Sequence, residues 1–260
     1  MRRNLRHYFR PVEIGPFPPR DPLLKTSALD QETFERAVGF PDTYFASSYA
    51  TWLDWFQNLE GLHFNLRTLG AVFELGCGTA RLLRCLRSIE GVRLIGSDIN
   101  PDCISWCIQN VPGPEYYVNE LTPPLPFAAD AAFDLVYASS VFTHIPLELQ
   151  GPWLKEIYRI LRPGGFFLCT VLGRHHQRLM LAAEDLARLR AEGHFTLTSA
   201  DQKASLSTQL GGSGWDVFQT RSEVIRVFGA FFQLHDYMPG RNQDLLILQK
   251  DRFTAVGRDR

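Results

Sequence analysis

The sequence predicts an α/β fold built on a parallel sheet with helices on both faces. Two observations carry that reading. From Ala71 onward, short apolar runs alternate with helix-patterned stretches, the rhythm of βαβ units with right-handed crossovers. The run VFELGCGTARLL, residues 72–83, sets an acid and two glycines between a strand and a helix-like segment, a turn at which a ligand can lie against bare backbone.

The elements follow in chain order. Residues 1–25 carry Pro11, Pro16, Pro18, Pro19 and Pro22, so this arm is extended. From Ser27 to Leu62 the pattern is helical: Phe34 and Val38 lie four apart, and Pro41 can open a second helix bearing Tyr44, Phe45, Tyr49, Trp52, Trp55 and Phe56. Residues 1–70 therefore read as an arm and helical lid, and 71–260 as the sheet domain. AVFEL, RLIGSDI, EYYVN, FDLVYAS and GFFLCTV read as buried strands. TARLLRCLRSI, NPDCISWCIQNV and PLELQGPWLKEIYRILR read as the helices between them, the last with Pro146 near its start and Gly164 and Gly165 past its end. Residues 174–218 break the rhythm and read as an insertion after the fifth strand, helical over RHHQRLMLAAEDLARLRAEGHF and then polar and glycine-rich. A last helix, TRSEVIRVFG, and a terminal strand pair, AFFQLHDY and DLLILQK, close the chain.

The bulk numbers bound the function. A length of 260 residues fits one decorated α/β domain, and 45% hydrophobic residues suffice for a sizeable core. The net charge of −1 gives no global attraction for nucleic acid or an anionic membrane. Cys77, Cys85, Cys103, Cys107 and Cys169 are odd in number, sit in apolar patterns and show no paired C-x-x-C spacing, so they read as reduced and buried. The basic N-terminal segment lacks the apolar stretch of a signal peptide, which leaves the cytoplasm as the expected location. Its arginines could touch a polyanion or form a solvated tail.

The glycine turn narrows the ligand. A dinucleotide turn usually reads G-x-G-x-x-G, whereas Gly76 and Gly78 are followed by Thr79, Ala80 and Arg81. Glu74, two residues before the first glycine, would repel a pyrophosphate and attract a cation. Asp98 ends the next strand 20 residues after Gly78, a spacing suited to accepting both hydroxyls of an adenosine ribose. The two acids suggest an adenosine with a cationic amino-acid tail, as in S-adenosylmethionine.

In ELGCGTARLL, GSDI, FDLVYASSVFTHIP and LKEIYRILRPGGFFLCTV the chain resembles the class I S-adenosylmethionine-dependent methyltransferases, strongly over about residues 70–172. Ala80 stands where the usual third glycine of that pattern falls. The resemblance implies a seven-stranded, doubly wound sheet with an antiparallel last strand. It implies a cofactor site in which Glu74, Gly76, Cys77 and Gly78 face the methionine portion, Asp98 holds the ribose and Ile99 lies against the adenine. Asn119 and Glu120 match the contact to the adenine amino group, and Ser139 matches the floor of the methyl-donor pocket. The C-terminal half looks like the bacterial small-molecule and sugar-modifying branch, which makes O-methylation of a sugar or natural product the leading expectation.

Methyl transfer to a hydroxyl calls for alignment, exclusion of water and removal of a proton. His144, in SSVFTHIP, is the candidate base; a supporting or capping role is its alternative. His235 with Asp236 forms a second candidate near the last strand turn, and His175 and His176 open the insertion. Tyr44 and Tyr49 are candidate acceptor contacts if the aromatic segment 44–56 folds as a lid rather than packing as core. Only Glu148 lies near His144 as a further acid, so no catalytic metal is expected. The partners expected are a small-molecule acceptor and, at most, further copies of the chain. A cofactor-binding protein without methyl transfer and a nicotinamide oxidoreductase remain as alternatives.

Overall fold

The computed structural model describes residues 41–59, 62, 64, 65, 68–198, 215–240 and 243–252. The proline-rich arm, the helix expected from Ser27, the polar stretch 199–214 and the side chains of Tyr44 and Tyr49 lie outside the described residues. The described chain divides into two compact units after Asn119.

In the first unit, helix α1 (Pro41–Leu59) precedes strand β1 (Ala71–Leu75). Trp52, Trp55, Phe56 and Leu59 of α1 are buried. Trp52 stacks on Phe56 with ring centroids 4.7 Å apart, and its indole Nε1 donates to the Leu82 carbonyl at 2.9 Å. Burying large rings with the N–H satisfied is what a core position requires, so this part of the aromatic segment is core rather than lid.

Strand β2 (Arg93–Asp98), helix α2 (Pro101–Asn110) and strand β3 (Glu115–Val118) follow. β2 pairs in parallel with β1 and β3. Asn100 caps α2, its side chain accepting from the amides of Asp102 and Cys103 with Pro101 at the first turn, as helix starts favour. The segment after β1 departs from the expected α-helix: Leu83–Ser88 is a short 3₁₀ helix. Its bonds run to the third residue back, Cys85 to Leu82 and Ile89 to Leu86, the tighter winding used in short pieces.

The second unit carries β4 (Phe133–Ala138), α3 (Leu147–Ile160), β5 (Leu161–Val171), α4 (Arg174–Met180), α5 (Ala183–Glu192), β6 (His194–Thr198), β7 (Trp215–Gln219), α6 (Arg221–Gly229), β8 (Gln233–Met238) and β9 (Asp244–Gln249). β4 pairs in parallel with β5, and β9 runs antiparallel to both β5 and β8. The main sheet has seven strands in the order β3-β2-β1-β4-β5-β9-β8, with helices between the strands. This is the doubly wound, mostly parallel sheet expected, with an antiparallel last strand. α3 passes directly into β5, and the Lys250 ammonium donates to the carbonyls of Tyr158 and Leu161 at the junction, meeting helix-end acceptors with a cation.

The expected insertion holds more than a helix and a loop. Its helical stretch breaks at Leu181 and Ala182, and Gly193 ends α5 at φ +84°, the left-handed conformation glycine adopts at little cost. His194, read as helical, begins β6, which forms an antiparallel ribbon with β7. Leu181, Leu189, Phe195, Leu197 and Phe218 pack with Leu172 into a small core of their own.

Candidate active site

β1 is buried along its whole length, which the apolar run AVFEL dictates except at Glu74. That carboxylate is 3% exposed and accepts from the Leu83 amide at 3.1 Å, so it anchors the start of the 3₁₀ helix. The chain then turns through Gly76 at φ +70°, Gly78 at φ +52° and Ala80 at φ +55°. A Cβ on Gly78 would meet nothing within 4 Å, so the backbone there is open to a close approach.

Asp98 stitches the turn to the end of β2. One oxygen accepts from the Gly78 amide at 2.7 Å and the other from the Asn100 amide at 2.9 Å. Burial pushes its carboxyl above the usual range, and the amides of Asn100, Gly78 and Ile99 offset only part of that. Ile99, next in the chain, is 39% exposed, leaving apolar surface beside the carboxylate. Asn119 is buried, and its amide donates to the Asp98 carbonyl at 3.1 Å.

Cys77 plays a different part from the one expected of its side chain. Its amide donates to the Ser97 carbonyl at 2.9 Å, and a Cβ built on Gly96 would lie 2.9 Å from its Sγ. Gly96 is therefore small so that the thiol can pack against β2. The hydrogen bond with Cys107, then burial, raise the Cys77 thiol well above its ordinary value, so it stays protonated. Arg84, which the sequence did not single out, is buried and donates to the carbonyls of Thr79 and Ala80, bracing the turn from behind.

Ala80 is fully buried in the left-handed region, where an L side chain costs about 1–2 kcal/mol. Glycine loses about 0.5–1 kcal/mol more backbone entropy on folding. Ala80→Gly should therefore leave stability unchanged or raise it by up to about 1 kcal/mol, read as an equal or higher thermal midpoint. A midpoint several degrees lower would contradict the turn geometry.

In the second unit, the loop after β4 carries Ser139, half-buried, and Ser140, at φ +61°. Ser140 is held by two polar contacts whose partners are themselves joined: its amide donates to Thr170 Oγ1 at 2.7 Å, Gln243 Nε2 donates to its Oγ at 2.7 Å, and Thr170 Oγ1 donates to Gln243 Oε1. A non-glycine residue in this conformation needs such over-determination to persist. The sequence pointed one residue short of this cluster, because Thr170 and Gln243 are distant in the chain.

His144 follows in the same loop, its side chain 29% exposed. Its Nδ1 lies 2.9 Å from the Trp215 carbonyl and 3.3 Å from Asp216 Oδ1. Both are acceptors, so Nδ1 carries the proton and Nε2 the lone pair. Asp216 gave no sequence signal: it is 72 residues away, in the middle of an ordinary strand pattern.

Glu120 is exposed and opens the second unit. His235, the second candidate, makes a sheet contact: its Nε2 meets Gln249 Oε1 at 2.8 Å, and Gln249 pairs with Phe166 at the middle of β5. Ala138, at the end of β4, pairs with Cys169, so His235 sits about three residues, roughly 10 Å, back along β5 from the level of the β4 loop. It sits at the irregularity between Leu234 and Asp236 in the β8–β9 ladder, its side chain joined to β9 through Gln249. Asp236 accepts from the neighbouring Tyr237 amide. His175 and His176 lie on α4 with their rings edge to face. No group of three or more potential metal ligands occurs among the described residues.

Residues 73–169 match the family model described as a methyltransferase domain. The chain is 34% identical over 101 residues to the sterol 24-C-methyltransferase of Schizosaccharomyces pombe, covering 37% of this chain and 26% of that protein. It is 31% identical over 105 residues to the malonyl-[acyl-carrier protein] O-methyltransferase of Hahella chejuensis, covering 39% of this chain and 36% of that one. The chain thus spans about a quarter to a third of the length of these relatives. In fold it is similar to the magnesium protoporphyrin IX methyltransferase of Synechocystis, with a TM-score of 0.53, 14% identity and coverage of 88% of this chain and 91% of that one; that structure holds bound S-adenosylhomocysteine. Residues 73–169 thus match a methyltransferase domain in sequence, and the fold is shared with a methyltransferase that holds S-adenosylhomocysteine. No helix among the described residues is long and apolar enough to cross a membrane.

Proposed function

We propose that this chain methylates a hydroxyl group of a small molecule, a sugar or a natural product, with S-adenosylmethionine as donor. The observation that carries the hydroxyl is the contact of His144 Nδ1 with the Trp215 carbonyl at 2.9 Å, which a ring N–H at Nδ1 satisfies. The tautomer this sets places a basic lone pair on Nε2, which a carbon acceptor that is already nucleophilic does not require and an alcohol does. His144 follows β4 as the glycine turn follows β1, and loops after the strands of open α/β sheets carry the ligand-handling residues.

The residues of the first unit fit the cofactor. The open backbone at Gly78, the carboxylate of Asp98 and the exposed face of Ile99 offer an approach, an acceptor for ribose hydroxyls and an apolar surface for a base. Glu74, Gly76 and Asn119 complete that set at the strand ends, with Cys77 contributing backbone. When bound, the sulfonium supplies an activated methyl group. The protein's own tasks are to hold the acceptor oxygen in line, exclude water and take up the hydroxyl proton at His144 Nε2. Ser139, with Tyr44 and Tyr49, remains part of the proposed acceptor side, and Glu120 of the cofactor side.

The curated relatives act on unlike acceptors by name, a sterol and a malonyl carrier protein, so the acceptor class is read from this chain's own groups. A near-zero net charge supports an uncharged small molecule over nucleic acid or a membrane surface. The five cysteines are buried and unbridged, which supports a reducing compartment, the cytoplasm.

The test is calorimetric titration with S-adenosylmethionine and S-adenosylhomocysteine, followed by a panel of sugars and phenols scored by release of S-adenosylhomocysteine. Saturable binding with turnover on hydroxyl acceptors is the expected result. Absence of binding to both ligands, or turnover confined to amines or carbon acceptors, would overturn the reading.

A further inference from the structure

We propose that Asp216 is the positioning residue of His144, forming with it a buried carboxylate–imidazole pair delivered by the β6–β7 ribbon. This rests on the reading of His144 as the base. Three consecutive residues of β7 grip the loop after β4. The Trp215 carbonyl meets His144 Nδ1 at 2.9 Å, Asp216 Oδ1 lies 3.3 Å from the same nitrogen, and the Val217 amide donates to the Thr143 carbonyl at 2.8 Å. The grip sets both the ring's position and its tautomer.

Asp216 is 3% exposed, and its Oδ2 has no hydrogen-bond partner among the described residues. Holding an under-satisfied carboxylate in that position costs stability. A histidine that only supported the loop would be held by the Trp215 carbonyl alone. The carboxylate earns a use when a proton arrives. As the methyl carbon's bond to sulfur breaks and its bond to the acceptor oxygen forms, the hydroxyl proton moves to Nε2 and the sulfonium becomes a neutral thioether. The imidazole becomes imidazolium, and a buried negative charge 3.3 Å from Nδ1 stabilises it at that moment. The proton then leaves to solvent, so atoms and charge balance without a further reactant.

The arrangement also gives the insertion a role. Asp216 pairs with Leu197 across the ribbon, and the ribbon's own apolar core holds it. The base is therefore assembled from two segments about 70 residues apart, both in the second unit.

The experiment compares wild type, Asp216→Asn, Asp216→Glu and His144→Ala. The first readout is nitrogen-15 NMR of the His144 imidazole, which needs no acceptor. The wild-type ring should be Nδ1-protonated in its neutral form; Asp216→Asn should keep that tautomer, which the Trp215 carbonyl holds, but move the Nδ1–H resonance as the charged contact is lost, while thermal stability stays level or rises. The second is turnover on the hydroxyl acceptor that works best in the panel. Asp216→Asn should lower kcat by about 100-fold with donor affinity unchanged, and Asp216→Glu should restore part of it. An Nε2-protonated ring in the wild type, an Nδ1–H resonance unmoved in Asp216→Asn, or kcat within about threefold of wild type would overturn the proposal. If His144→Ala is slow and Asp216→Asn is not, only this inference fails. If neither is slow, the assignment of the base fails with it.

Discussion

Asp98→Ala should lower the affinity for S-adenosylmethionine and for S-adenosylhomocysteine by about 100-fold or more. The carboxylate accepts from the Gly78 and Asn100 amides at 2.7 and 2.9 Å, so its loss removes a proposed acceptor of the ribose hydroxyls and also unties the turn that presents the backbone. Two hydrogen bonds to a charged group at about 1.5 kcal/mol each come to about 3 kcal/mol, or roughly 150-fold in binding. Asp98→Asn should fall between alanine and wild type. Its single oxygen can satisfy one amide, while its NH₂ faces the other donor to donor. Equal calorimetric affinity for all three proteins would remove Asp98 from the site.

The sign of the pH dependence separates binding from stability at this residue. Burial holds the Asp98 carboxyl above the ordinary aspartate value of 3.8, with the neighbouring amides pulling back only in part. A folded-state pKa above the unfolded one means the native state binds the proton more tightly, so stability falls as pH rises through that interval. The ionised form present at neutral pH is thus held at a cost to the fold. Ribose hydroxyls donate to that ionised form, so affinity for the cofactor should fall on acidification from a point above pH 3.8, while Asp98 alone would make the fold more stable over the same range. A group that costs stability where it would bind best is placed for its ligand.

Those features that depend on near neighbours could be read from the chain. The apolar run before Gly76, the twenty-residue step from Gly78 to Asp98 and the Asn100-Pro101 helix start are local patterns, and each fell where the pattern put it. Features set by distant contacts could not. TARLLRCLRSI has helical periodicity, yet the left-handed Ala80 and the Glu74 contact to the Leu83 amide leave only a 3₁₀ helix. His194 continues a helical pattern but enters a strand because Gly193 turns left-handed and β7 offers a partner. Asp216 looks like any polar residue of an alternating strand until β7 meets the loop of His144. His235 lies near a strand turn in sequence, yet only the antiparallel sheet reveals that its ring meets Gln249, opposite the middle of β5.

Glu156→Ala should destabilise the second unit by about 3–5 kcal/mol, the usual cost of breaking a buried pair by removing one partner. Glu156 is 7% exposed. One oxygen accepts from the Leu125 amide at 2.7 Å and from Arg159 Nη2 at 2.6 Å, and the other accepts from Arg159 Nε at 2.9 Å. Arg159 in turn reaches Asp130 at 2.6 Å and the Ala128 carbonyl at 2.9 Å, so the Glu156–Arg159 pair ties α3 to the loop before β4 at several points. Burial pushes the Glu156 carboxyl up, but Arg159 and the Leu125 amide outweigh it, and the net result lies below the usual value of 4.5. A depressed folded-state pKa contributes stability that is fully present above the unfolded value and is lost as pH falls through the folded one. Glu156→Gln keeps one acceptor and should cost about 1–2 kcal/mol at neutral pH. Its deficit relative to wild type in denaturant unfolding should therefore shrink once the pH drops below 4.5. A deficit that stays constant between neutral and acid pH would show that shape, not charge, holds the loop at this position.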